Sequence, residues 1–170
     1  LADKQSDVQK TTGMTKKEVR ELTQELDKLN TRTSRVDLLS IAEEGGRIGI
    51  AKDDIAEFTE AMDKANVALG DVFGSASEVA SVLGKLKFMY KETSDMGVSE
   101  AYNAIGSALN ELGANGIASE QNIAAFASRL GALPPAFKPT IADALALGAA
   151  FEESGVNAEI ASRSYSILIQ

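Results

Sequence analysis

An all-α fold is predicted for this chain by three observations. Apolar residues return at alternating spacings of three and four, helix-capping signatures precede those stretches, and the two-residue alternation of a strand is nowhere sustained. At 170 residues, 44% of them hydrophobic, the chain is long enough to bury one core without staples. The expectation is a compact multi-helix bundle of about eight short to medium helices. An N-terminal amphipathic helical arm would span residues 1–35, and the helical body residues 36–170.

Each element has a local reason. Thr15-Lys16-Lys17-Glu18 is a capping box, in which the Thr hydroxyl and the Glu carboxylate satisfy backbone N–H groups at a helix start. Val19, Leu22, Leu26 and Leu29 follow as a narrow stripe among Lys and Glu, which predicts an amphipathic helix or half of a coiled coil. A second helix opens on Ser34 and Asp37, carries Val36, Leu38, Leu39, Ile41 and Ala42, and is expected to stop near Gly45-Gly46. The third has Ile55, Phe58, Met62, Ala65 and Leu69 on one face and ends at Gly70. Ser75-Ala76-Ser77-Glu78 is a second capping box, opening a helix with Val79, Leu83, Leu86 and Tyr90 on one side. Four more helices are expected over Ser99 to Leu112, Ser119 to Ala132, Pro139 to Ser154 and Asn157 to the end, with Pro134-Pro135 as a hard break.

A phrase of Gly, an apolar residue and then a cap or acid recurs at Gly49, Gly97, Gly116-Ile117 and Gly155. A left-handed Gly ends one helix, the apolar residue folds back on the last turn, and the next helix opens at once. Gly84, Gly106, Gly131 and Gly148 fall inside helices instead. An interior Gly costs up to about 1 kcal/mol relative to Ala, so close helix contact is the expected compensation. With 6 Phe, 3 Tyr and no Trp, the core would be mainly aliphatic.

Composition narrows the chemistry. Zero Cys and zero His remove disulfides, thiolate nucleophiles, imidazole bases and the usual zinc ligands, and the lack of Cys fits a reducing compartment. Residues 1–35 carry 8 Lys or Arg against 6 Asp or Glu, and residues 36–170 carry 9 against 19; the net charge of -8 offers no clustered cations for phosphate. The longest uncharged run, Ala101 to Asn110, falls well short of the roughly 20 apolar residues a membrane span needs. Leu1 stands where a start Met would be, so the chain is expected to be a segment of a longer protein.

Three acidic pairs, Glu43-Glu44, Asp53-Asp54 and Glu152-Glu153, could in principle supply an acid and a base. Neighbouring helical residues point about 100° apart and do not converge on one atom, so solvated surface is expected for all three. Gly45-Gly46-Arg47-Ile48-Gly49 lacks a preceding strand and the Lys-Ser/Thr ending of a phosphate loop. Asp53 to Asp63 lacks the alternating ligands and central Gly of a calcium loop. No catalytic residue, cofactor-binding residue, metal ligand or cofactor is therefore expected.

Several strings, taken in order, resemble the conserved helical region of phage tail tape measure proteins. They are Thr31-Arg32-Thr33-Ser34 with Leu38, Ala42, Gly46, Gly49-Ile50, Asp54-Ile55, Phe58, Ala65 and Val67-Ala68-Leu69, then Ser75 to Leu86, then Ile105 to Ala114, with Ser6 to Thr15 leading in. The resemblance implies a long helical protein whose length sets tail length, from a phage or prophage. It also implies a location in the virion tail, and in the host cytoplasm during assembly. Its implied partners are tail tube, tail assembly chaperone and baseplate proteins, without catalysis, nucleic acid binding or a membrane segment here. Self-association through residues 15–30 follows from the amphipathic stripe itself. A folded bundle fits poorly in a narrow tube, so unfolding, rearrangement or a place at a tail end is expected. A helical adaptor or oligomerisation module is the alternative class, and cell-wall cleavage a third, which the missing side-chain chemistry disfavours.

Overall fold

The structure, a computed structural model, describes residues 1–116 and 118–169. Ten α-helices and one short 3-10 turn make up the regular structure of these residues. In chain order the helices are α1 (Ala2–Thr12), α2 (Lys16–Leu26), α3 (Arg35–Arg47), α4 (Ile55–Phe73) and α5 (Ala76–Met89). They continue with α6 (Lys91–Ser94), α7 (Val98–Ala114), α8 (Glu120–Gly131), α9 (Ile141–Glu153) and α10 (Ala158–Leu168). The fold is all-α, as predicted, with two helices more than the eight expected.

Those two are α1 and α6. In α1 a single buried apolar residue, Val8, leaves no periodic stripe to read. Tyr90 adopts an extended conformation, φ -121° and ψ 134°, which ends α5 and lets Lys91–Ser94 form a separate turn.

The core sits around α4 and α5. α4 packs on α3, α5 and α7, and α5 also reaches α3, α7 and α8. α1 lies on α3, and α2 touches α1, α3 and α4; at the other end α8, α9 and α10 pack on one another. The predicted faces are the buried ones: Ile55, Phe58, Met62 and Leu69 in α4, and Val79, Leu83 and Leu86 in α5, with Tyr90 just beyond it. Each such side chain, fully withdrawn from water, contributes about 1.5–3 kcal/mol. Phe58 meets Tyr102 edge to face, with ring centroids 5.3 Å apart. Val36 is the exception, since it faces solvent on α3.

Residues 1–35 do not stand apart as a free arm. Val8, Val19, Leu22 and Leu26 belong to the same buried cluster as the residues of α4 and α5. The stripe expected to pair with another copy is therefore covered by the chain's own helices. The capping box at its start is present in full, with Thr15 accepting from the Glu18 N–H and Glu18 accepting from the Thr15 N–H. Only half of the second box forms: Ser75 accepts from the Glu78 N–H.

Two corners follow the predicted pattern closely. At Gly49, φ 90°, the Ile50 N–H bonds to the Gly45 carbonyl and the Gly49 N–H to that of Gly46. At Gly155, φ 74°, Val156 bonds to Phe151 and Gly155 to Glu152 in the same way. Gly97 differs: with φ -61° it is the N-cap of α7, and the Ser99 N–H is satisfied from another helix by Glu57, at 3.0 Å. Gly116 is not left-handed, and Ile117 lies outside the described residues.

The expected stop at Gly45-Gly46 is also displaced, since α3 continues to Arg47. Both glycines are instead points of close approach. A Cβ on Gly45 would lie 2.7 Å from the Phe58 ring, and one on Gly46 would lie 2.7 Å from the Thr11 backbone. The same logic holds for Gly84 against Ile48, Gly131 against Met89 and Gly148 against Phe126, as expected for helices in close contact, whereas a Cβ on Gly106 would meet Ala65 at an ordinary 3.4 Å.

No single helix is long and apolar enough to cross a membrane among the described residues. The stretch Lys52–Phe73 and α5 pass that test only as a pair bent by 111°, and both carry core residues.

Candidate functional site

The acidic pairs separate into different environments. Glu43 and Glu44 are buried on α3, contrary to the solvated surface expected of them. Lys4 from α1 reaches Glu43 at 2.7 Å, while Arg47, one turn along α3, pairs with Glu43 and lies 3.5 Å from Glu44. A carboxylate can be buried here because two cations from different helices neutralise it. Its partner Lys4 is 39 residues away, beyond any local reading. Asp53 and Asp54 are exposed in the 3-10 turn before α4, as expected. Glu153 is exposed, whereas the half-buried Glu152 accepts from Asn122 on α8. The three pairs are not brought together. Among the described residues no group of His, Cys, Asp or Glu side chains is arranged to hold a metal ion.

Buried polar groups serve the packing. Tyr90 donates to the Ala127 carbonyl at 2.6 Å and Tyr102 to the Gly84 carbonyl at 2.9 Å, so each phenol ties two helices together. Burial pushes both hydroxyls well above the ordinary tyrosine range, with Glu92 and Tyr165 adding to the effect at Tyr90. Neither has a base beside it that would make it a nucleophile. The Thr31–Ser34 connection is fastened to α4 by three bonds: Thr31 to Asp63 at 2.9 Å, Asn66 to Thr33 at 3.1 Å and Arg32 to the Val67 carbonyl at 2.6 Å. Among the described residues, every buried side-chain nitrogen or oxygen has a partner.

Charge also fixes two helix starts. Glu18 is pulled down to about 2, chiefly by its hydrogen bond from Lys52 and then by the Thr15 backbone N–H. Lys52 is raised in return by Glu18. Glu57 is lowered by the hydrogen bond from the Ser99 backbone at the start of α7.

What the surface offers is contact area. α10 exposes Ile160 (62%) and Ile167 (71%), seven residues apart on one side, and Leu168 (84%) about 100° round the helix from Ile167. Phe88 and Phe137 are also exposed, and an open groove of about 650 Å³ runs between α6 and the α8–α9 connection, lined by Lys91, Glu92, Asp95, Pro135 and Lys138. Lys138 is committed there to the Met89 carbonyl, at 2.6 Å. Solvent-facing apolar residues beside an open groove suit contact with other macromolecules.

No curated protein and no solved structure matches the chain. Its sequence does match that of phage-related minor tail proteins over residues 16–170, from the first residue of α2 onward. With nearly the whole helical fold inside that match, the chain belongs to the phage-related minor tail protein family.

Proposed function

We propose that this chain is a segment of a tail tape measure protein, acting in tail assembly and in setting tail length through helix-to-helix and tail-tube contacts, without catalysis. The observation that carries this reading is the family match across α2 to α10, over the stretch whose strings resemble the tape measure region. Those strings have structural work in this fold: Thr31–Ser34 is the connection bound to α4, and Ile105 to Ala114 forms the second half of α7. A ruler acts by extent and contact, so exposed apolar surface in place of a converging catalytic group fits the role. Its partners would be tail tube, assembly chaperone and baseplate proteins, in the virion tail and, during assembly, in the host cytoplasm.

The test is tail length. In the phage or prophage encoding the chain, in-frame deletion of residues 16–170 should shorten the tails, and duplication should lengthen them, by about 230 Å if the segment lies as helix at about 1.5 Å per residue. Electron microscopy of intact particles reads the change. Tails of unaltered length would reject the ruler. Loss of tails on deletion, with unaltered length on duplication, would favour a helical adaptor working through the exposed apolar residues of α10.

A further inference from the structure

α1 is joined to the rest of the fold by three residues, Gly13 to Thr15. α1 ends at Gly13, which is left-handed at φ 73°, and after Met14 the Thr15 cap opens α2. α1 buries one apolar side chain, Val8. Its other ties are polar or steric: Lys4 to Glu43 at 2.7 Å, Gln5 to Thr23 at 3.1 Å, and the close approach of its Thr11 backbone to Gly46. The seat lies on α3, inside the family-matched region, whereas α1 lies outside it.

We propose that this seat on α3 is an interaction surface between copies of the chain, filled by α1 of a second copy through reciprocal exchange. The fit is specific. An occupant needs a backbone able to approach Gly46 and a cation about two helical turns earlier to meet Glu43. α1 of another copy carries both by identity. The contacts in the closed and exchanged forms are the same, so the balance between them depends on the link and on concentration. When Gly13 leaves the left-handed region, α1 and α2 can run on as one helix from Ala2 to Leu26, about 37 Å long, which lifts α1 off its own α3. The surface that associates is then the polar face of α1, not the buried stripe of α2. This inference does not depend on the tail-length reading.

The joint can be tested alone, because a Cβ on Gly13 would meet nothing within 4 Å. Gly13→Ala penalises the left-handed conformation and should raise the dimer population of the full chain roughly five- to tenfold, read by light scattering from about 10 µM to about 1 mM. Adding Gly46→Leu drives a side chain into the Thr11 backbone in either form, so the dimer should vanish while a cooperative melt persists. A second arm uses charge. Lys4→Glu and Glu43→Lys each mismatch the closed form, but an exchanged pair of one chain of each kind matches at both seats. Mixing them should give a heterodimer that neither forms alone. A Gly13→Ala chain that stays monomeric throughout, a dimer that survives Gly46→Leu, or no heterodimer on mixing would each overturn the proposal.

Discussion

α4 and α1 are both docked helices, yet different forces hold them. α4 buries nine of its nineteen residues, including Phe58, Met62 and Leu69, chiefly against α3, α5 and α7. α1 buries one of eleven and relies on an ion pair, a side-chain hydrogen bond and a close backbone approach. Apolar burial is lost only when the core comes apart, whereas polar docking can be exchanged for water one contact at a time. A difference of local stability within one module follows, with α1 held less firmly than α4.

Phe58→Ala should break the comparison at its strong end. Removing a fully buried ring that meets Tyr102 and lies against Gly45 should cost about 3–5 kcal/mol, read by urea denaturation. A loss below about 1 kcal/mol would mean that α4 is not the centre of the fold.

Neighbouring glycines of α3 then sharpen it, because Gly45 faces α4 and Gly46 faces α1. Both gain about 1 kcal/mol of helix propensity on change to Ala, so any difference between the variants reports the contact. Gly45→Ala pushes on the buried Phe58 ring and should lower global stability by about 1–2 kcal/mol net. Gly46→Ala should release α1 instead, with faster amide exchange from Ala2 to Thr12 and little change in α4. Equal effects on both helices would dissolve the distinction.

Glu43→Gln weakens α1 from the α3 side. The carboxylate is buried, but Lys4 retains 34% exposure, so the loss should be about 1 kcal/mol and again confined to α1 exchange. The smallest effect concerns pH. Glu18 and Glu57 are held below their ordinary range in the folded chain, so their contribution is present above the unfolded value of about 4.5 and is lost as pH falls below it, for Glu18 through about 2. Amide exchange at the starts of α2 and α7 should quicken over that window, while the middle of α4 stays protected.

The comparison also accounts for what the sequence made legible. α4 could be read because a wide apolar face must repeat at helical spacing, and Ile55, Phe58, Met62 and Leu69 do. α1 could not, since one Val among Lys, Gln, Asp and Thr has no period. Glu43-Glu44 looked solvated because the cation that pairs with Glu43 across the interface comes from α1. Gly45-Gly46 looked like a stop because Gly is the usual residue after a helix; the left-handed position belongs to Gly49, three residues on. The absence of His and Cys limited the chemistry at once, but the exposed face of α10 required the packing of α8 and α9 to be known.

The two core phenols also give the chain an optical report on itself. With no Trp, ultraviolet absorbance above 290 nm in strong base comes from tyrosinate, and two of the three tyrosines, Tyr90 and Tyr102, are locked in carbonyl bonds. Their raised pKa means that burial stabilises the fold fully below the unfolded tyrosine value near 10, and that this is lost as pH climbs through the higher folded values. Alkaline titration should therefore show these two ionising together with the opening of the bundle, a spectrophotometric clock for the moment at which α5, α7 and α8 part.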